Sequence, residues 1–167
     1  MHFSIKATVV YLIAVLPTVN SYIVAFFKEQ GCDPADWGSE CGDVDDFTCC
    51  EAPEGQLYVS VGHDANWGYS LQGGDSCGVI ISNGDGCVSI DSGLESISGG
   101  SVVGIANRKR SEPPKVAKAD TFFYLNGTEK YTLPIDSDDG RLFESIKDRE
   151  EQRNFITSYG KFTQLDD

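Results

Sequence analysis

Six cysteines constrain the fold of this chain more than any other feature of its sequence. They are Cys32, Cys41, Cys49, Cys50, Cys77 and Cys87, in the spacing C-x8-C-x7-CC-x26-C-x9-C. An even number of cysteines without a C-x-x-C pair predicts three disulfides rather than a zinc site or a catalytic thiol. We therefore expect no metal and no cofactor.

An apolar leader precedes the cysteines. The first 21 residues combine a short basic start with the apolar run ATVVYLIAVL, which a proline ends. Val19 and Ser21 occupy the small-residue positions of a cleavage site, so residues 1–21 are predicted to be a secretory signal peptide. We expect cleavage after Ser21, with cleavage after Ala25 as the second choice. A membrane anchor is the alternative, but polar residues interrupt the roughly 20 apolar residues that a span needs. The mature protein is thus predicted to be extracellular, without a membrane span.

The charge divides the chain into two parts. The formal net charge is −13, and residues 22–107 hold fourteen acidic residues and one base, Lys28. Residues 108–167 hold eleven bases and twelve acids. Such an acidic chain is a poor ligand for nucleic acid or for an anionic membrane surface, so neither is expected as a partner.

The acidic part is predicted to be rich in β-strands. The stretch QLYVSVG alternates apolar and polar residues, and CGVIISNGDGCVSIDS, residues 77–92, has the pattern of a hairpin. Glycine is frequent throughout, as in tight turns and bulges. We therefore predict a mainly β, small disulfide-rich domain over residues 22–107.

The predicted hairpin restricts the disulfides. With the turn at either Gly84-Asp85 or Asn83-Gly84, Cys77 and Cys87 point to opposite faces, so we expect no bond between them. In the preferred scheme these two cysteines bond to Cys49 and Cys50, which leaves Cys32 with Cys41. The alternative is the knottin order, Cys32–Cys50, Cys41–Cys77 and Cys49–Cys87.

A basic triplet, Arg108-Lys109-Arg110, lies where the composition changes. Its last two residues form the pair that furin-type and kexin-type proteases recognise, and two prolines follow in SEPPKVAK. Residues 108–118 are therefore predicted to be a processing site and linker; a solvated loop is the alternative. Because every cysteine precedes the triplet, a cut would leave two chains without a covalent link.

Residues 119–167 are predicted to be an α+β segment, a hairpin followed by a helix. TFFYLNGTEKYTLPI indicates two strands joined by an Asn-Gly turn, and it places the sequon residue Asn126 at an exposed glycosylation site. RLFESIKDREEQRNFITSYGKF predicts one helix, with an apolar stripe that runs from Leu142 to Tyr159. Residues 108–167 together hold eleven bases and twelve acids, a net charge of −1. We therefore expect any docking of this part onto the acidic domain to be mainly hydrophobic and insensitive to salt.

Candidate site residues are few. Trp37, Trp67 and Tyr69 could form a flat binding surface for a sugar or a protein, although such residues more often fill a core. His63 and Asp64 are neighbours, but adjacency alone does not make a catalytic pair. The IDSDDG turn lacks the spacing of a calcium loop. We therefore identify no catalytic residue, and an enzyme is the less favoured class.

The arrangement of leader, six cysteines with one adjacent pair, and a Lys109-Arg110 site resembles the small secreted cysteine-rich proteins of filamentous fungi, the candidate effectors of plant-associated species. The resemblance implies an extracellular virulence factor that binds a protein or glycan of a host or competitor. Killer toxin precursors share the arrangement, so a two-chain antimicrobial toxin is the alternative. A small secreted hydrolase is the third hypothesis.

Overall fold

A computed structural model describes residues 21–33, 36–45, 48–65, 68–72, 77–90, 96–102 and 115–165, with the backbone alone at 69–72. These ranges contain twelve strands and two helices, together with three disulfides. The prediction of a mainly β, disulfide-rich fold is confirmed. Residues 1–20 of the signal peptide and the basic triplet lie outside the described residues. No helix within the described ranges is long and apolar enough to cross a membrane.

Seven strands form an antiparallel sheet that we call the long sheet. In spatial order they are β12 (Lys161–Gln164), β11 (Glu129–Pro134), β10 (Thr121–Asn126), β2 (Trp37–Val44), β1 (Tyr22–Phe27), β4 (Ser60–His63) and β7 (Cys87–Ser89).

Five strands form a second sheet, the short sheet. In spatial order they are β6 (Val79–Gly84), β5 (Gly68–Gln72), β8 (Gly99–Val102), β3 (Thr48–Glu51) and β9 (Lys115–Lys118). Strands β3 and β9 are parallel, and the other neighbours are antiparallel.

The two sheets pack face to face around one core. Val24, Phe26 and Val61 of the long sheet are fully buried in the same cluster as Val102 of the short sheet. A Cβ added to Gly100 of β8 would lie only 2.7 Å from Val24 Cγ1 and 2.9 Å from Val61 Cγ1. The close approach of the sheets at this point therefore requires glycine.

Strand β1 lies inside the long sheet, between β2 and β4. A cut of the predicted signal peptide after Ser21 would leave the whole strand in place, whereas a cut after Ala25 would remove Val24 from the core. The fold therefore fits the first predicted position better than the second, and cleavage itself stays a prediction.

The C-terminal segment, residues 115–165, is part of the same two sheets. Strand β10 pairs with β2, and β9 pairs with β3. The predicted linker 108–118 is therefore wrong for Lys115–Lys118, which form β9; its two apolar residues, Val116 and Ala117, had no clear period by which a strand could be recognised.

The predicted hairpin of the C-terminal segment is confirmed, with a shifted turn. Asn126 pairs with Glu129, so the turn residues are Gly127 and Thr128 rather than Asn126 and Gly127. Gly127 has φ +64°, which suits the first position of a type II′ turn.

Two helices replace the single predicted one: α1 (Asp138–Ser145) and α2 (Arg149–Tyr159). The Asp148 side chain caps α2 by accepting a hydrogen bond from the Glu151 N–H at 2.9 Å. Lys161 and Phe162, predicted as the helix end, belong to β12 instead. Phe143 and Ile156 are buried, whereas Leu142 and Tyr159 of the predicted stripe are exposed.

The disulfides are Cys32–Cys87, Cys41–Cys50 and Cys49–Cys77. The expected absence of a Cys77–Cys87 bond is confirmed, and Cys49–Cys77 belongs to the preferred scheme. The predicted Cys32–Cys41 bond and the knottin order are both wrong.

The hairpin at residues 77–92 is also wrong, because β6 pairs with β5 in the short sheet while β7 pairs with β4 in the long sheet. At the turn between β6 and β7 the chain passes from the short sheet to the long sheet, as happens at the corners of β-sandwiches. The two cysteines therefore do not face opposite sides of one hairpin: Cys77 precedes β6 of the short sheet and bonds to Cys49, whereas Cys87 begins β7 of the long sheet and bonds to Cys32.

Candidate functional site

A pocket of about 150 Å³ lies where the cysteine-bearing region, residues 21–102, meets the C-terminal segment, residues 115–165. We call this junction the seam, and we call the pocket the seam pocket. It is lined by Glu29, Asp33, Asp36 and Trp37 from one side, and by Tyr124, Phe143, Arg149, Gln152, Arg153 and Ile156 from the other. Neither part of the chain forms this pocket alone.

The pairing of β2 with β10 builds the aromatic wall of the seam pocket. Trp37 lies opposite Tyr124 in this ladder. Helix α1 places Phe143 edge-on against Trp37, with ring centroids 5.7 Å apart. Lys28 Nζ lies 4.7 Å from the Trp37 ring centroid and 5.3 Å from that of Tyr58. Burial lowers the pKa of Lys28, and the nearby Arg149 lowers it further.

Asp36 supplies a buried carboxyl group at the seam pocket. Its Oδ2 accepts a hydrogen bond from the Glu29 N–H at 2.7 Å, and its Oδ1 lies 3.5 Å from Arg149 Nη2. Burial raises the pKa of Asp36, while backbone N–H groups and Arg149 act in the opposite direction. Arg149 Nη2 also binds Glu29 Oε1 at 2.7 Å, so one guanidinium joins α2 to two carboxylates across the seam.

Arg153 lies one helical turn beyond Arg149, 5.5 Å from the centroid of the Tyr124 ring. None of the ion pairs formed by the described residues includes Arg153. Gln152 is buried beside it and donates to the Phe143 carbonyl at 3.4 Å. The pocket thus combines an aromatic wall with both hydrogen-bond donors and acceptors.

The structure separates two of the three predicted binding-surface residues, Trp37 and Tyr69. Trp37 lies in the long sheet and lines the seam pocket, whereas Tyr69 belongs to β5 of the short sheet. Trp67 lies outside the described residues. The sequence prediction missed Tyr124, Arg149 and Arg153, which become neighbours of Trp37 only through the β2–β10 pairing.

His63 and Asp64 each bind backbone atoms. His63 Nδ1 lies 2.9 Å from the Ala65 carbonyl oxygen, and Asp64 Oδ1 accepts from the Ile23 N–H at 2.8 Å. A Cβ on Gly68 would lie 2.2 Å from the His63 ring, so the ring is packed against backbone. His63 thus ends β4 with its ring packed on the following loop, and the hydrogen bonds of His63 and Asp64 go to backbone atoms of Ala65 and Ile23.

Asn126 is exposed at the end of β10, where its Nδ2 donates to Glu129 Oε2 at 3.1 Å. Its glycosylation stays a prediction. Within the described residues, no group of three or more His, Cys, Asp or Glu side chains is placed to hold a metal ion.

Comparison with family models, with curated proteins and with solved structures finds no match to this chain. The three disulfides suggest an extracellular protein.

Proposed function

We propose that the protein is a secreted, non-enzymatic binding protein of the effector or virulence type, and that its seam pocket binds a terminal sugar unit on a host or competitor surface. The observation that carries this proposal is the composition of the seam pocket: an aromatic wall next to paired carboxylate and guanidinium groups.

The chemistry of a sugar fits these groups. A pyranose ring has an apolar C–H face, which packs on aromatic rings such as Trp37 and Tyr124. Its hydroxyl groups both donate and accept hydrogen bonds, so they are matched by Glu29 as acceptor and Arg153 as donor. A volume of about 150 Å³ suits one sugar unit better than a cofactor, which needs several hundred Å³.

The contacts of the Asp36 carboxyl group favour a role of the seam pocket in binding a sugar over a role in hydrolysing one. A general acid needs a carboxyl group that is free to reach the substrate. Both oxygens of Asp36 are instead directed to groups of the protein, the Glu29 N–H and Arg149. The raised pKa of Asp36 alone does not make a small secreted hydrolase the better hypothesis.

A glycan array probed with the mature protein tests this proposal. We expect selective retention of a small set of glycans. Arg153→Ala should weaken the binding of a retained glycan roughly tenfold, which corresponds to one lost hydrogen bond to a charged group. Arg141→Ala is the matched control, because Arg141 is an exposed arginine of α1 outside the pocket. Retention of no glycan, or equal loss in both variants, would contradict the proposal.

A two-chain toxin is the second candidate, supported by the extent of the seam. Strand pairing joins β10 to β2 and β9 to β3, so a chain cut after Arg110 would stay assembled. Secretion of the parent and of Arg110→Ala from one host tests the cut: two co-purifying chains are expected for the parent and one for the variant. A single intact parent chain, beside a processed control substrate, would make the triplet a loop.

A further inference from the structure

The four sheet edges of this protein differ in how they are protected. Natural edge strands avoid unwanted pairing by being short, by carrying lysine or proline, or by being covered. Strand β9 carries Lys115 and Lys118, and β12 carries Lys161. Strand β7 has three residues, and its Ser89 hydroxyl accepts a hydrogen bond from the Gly31 N–H at 2.9 Å.

Strand β6 has none of these features. Its six residues, VIISNG, include no charge and no proline. Val79, Ile80 and Ile81 are 68%, 46% and 36% exposed. Strand β6 pairs with β5 on one side, and no described strand pairs with its other edge. Within the described residues, β6 is therefore an uncharged apolar edge strand without a partner on its outer side.

We propose that β6 is a docking edge for an extended, basic segment of a partner protein, which adds to the short sheet as a sixth strand. Strand addition satisfies the open backbone groups of β6, and its exposed aliphatic side chains give the cross-strand contacts. This site lies apart from the seam pocket and does not depend on glycan binding.

Charge complementarity indicates the chemistry of the partner. The chain as a whole has a formal net charge of −13, and Asp85 is exposed directly after β6. So acidic a protein attracts a cationic segment, and Asp85 supplies a carboxylate beside the edge. The same charge opposes pairing of β6 with a second copy of the chain, because two bodies of net charge −13 would be brought together.

The experiment uses the mature protein and the synthetic peptide Lys-Val-Thr-Val-Lys-Ile-Thr-Val-Lys as a probe, with binding measured by fluorescence anisotropy. We expect saturable binding that weakens at high salt, together with slower amide hydrogen exchange in β6. A peptide that is N-methylated at every backbone amide keeps the charge but cannot pair through either edge, and should not bind.

Two matched variants locate the site. Ile80→Lys on β6 should weaken peptide binding about tenfold through lost cross-strand contacts and edge pairing. Val116→Lys adds the same charge to β9, at the opposite edge of the short sheet, and should change binding much less. Val79→Lys repeats the test at a more exposed position if Ile80→Lys fails to fold.

Three results would overturn the proposal. One is equal binding of the N-methylated peptide, which would mean attraction by charge alone. Another is equal weakening by Ile80→Lys and Val116→Lys. The third is a dimer of the protein that strengthens with salt and is lost in Ile80→Lys, because β6 would then pair with a second copy.

Discussion

The cysteine-bearing region and the C-terminal segment belong to the same sheets but are held in different ways. Three disulfides cross-link the first, and two of them attach strands that contribute little to the apolar core: β7 through Cys32–Cys87 and the start of β6 through Cys49–Cys77. The C-terminal segment has no cysteine and relies on strand pairing, an aromatic cluster around Phe143, and ion pairs. Disulfides thus cross-link the first part of the sandwich, whereas the C-terminal segment contacts it through strand pairing, packing and ion pairs.

These contacts correct the expectation that the segment would dock without electrostatic help. Lys115, Lys130 and Arg149 each reach acidic side chains of the cysteine-bearing region. The net charge of the segment is near zero, yet these three bases pair with acids across the seam. Net charge could not indicate these pairs, because it contains no information on which face carries which charge.

The largest expected effect is the loss of the longest disulfide. Cys32–Cys87 spans 55 residues, and in the chain-entropy account its removal costs roughly 4 kcal/mol of unfolding free energy. The double variant Cys32→Ser, Cys87→Ser should show this loss in denaturant unfolding. The shorter Cys41–Cys50 link, of 9 residues, should cost roughly 2.5 kcal/mol in the same account, although both of its cysteines are buried. Equal denaturation midpoints for the parent and the Cys32–Cys87 double variant would contradict a stabilising role of this disulfide.

The next effect concerns the aromatic cluster of the C-terminal segment. Phe143→Ala should destabilise the protein by about 3 to 5 kcal/mol, because Phe143 is buried against Trp37, Phe122 and Phe155. Leu142→Ala, at the neighbouring exposed position, should cost less than about 1 kcal/mol. Hydrogen exchange should show the loss mainly in α1 and α2. A comparable loss in both variants would mean that the helices do not pack as described.

A smaller effect is expected at the least exposed ion pair of the seam. Lys130 Nζ binds Glu40 Oε2 at 2.6 Å, with side chains 16% and 11% exposed. Lys130→Met leaves the buried Glu40 carboxylate unpaired, which should cost about 2 kcal/mol. Arg141→Met breaks the exposed Arg141–Asp138 pair of α1 and should change stability by no more than about 0.5 kcal/mol. Chemical denaturation of both variants checks this difference.

The sequence predicted those features that depend on neighbouring residues. The Asn126 hairpin followed from a turn signal between two β-prone runs, and the β-rich class followed from alternation and glycine content. The division of the helix had a local signal as well: Asp148, followed three residues later by Glu151, is an N-cap pattern that could have ended the single predicted helix.

The features that sequence reasoning missed depend on which strands become neighbours. The turn at Gly84-Asp85 looks like a hairpin turn, yet β6 and β7 separate into two sheets. The seam pocket requires Trp37 and Tyr124 to meet across 87 residues of chain, which no periodicity reveals. The disulfides shared this difficulty, since each joins strands or loops whose positions follow from the two-sheet topology.

The smallest expected effect is a pH dependence at the seam. Burial raises the pKa of Asp36 above its usual value of 3.8, so the folded protein binds a proton that the unfolded chain has already released. Stability therefore falls as the pH rises from 3.8 through the raised folded pKa, by about 1.4 kcal/mol for each unit that separates the two pKa values. Asp36→Asn removes this titration, so the stability of the parent relative to the variant should decrease with rising pH across that window.

Asp139→Asn, at an exposed position of α1, controls for the loss of one carboxylate. Urea unfolding at a series of pH values measures the difference. If the parent instead gained stability over the variant as the pH rose, the contacts of Asp36 with Arg149 and the backbone would outweigh its burial.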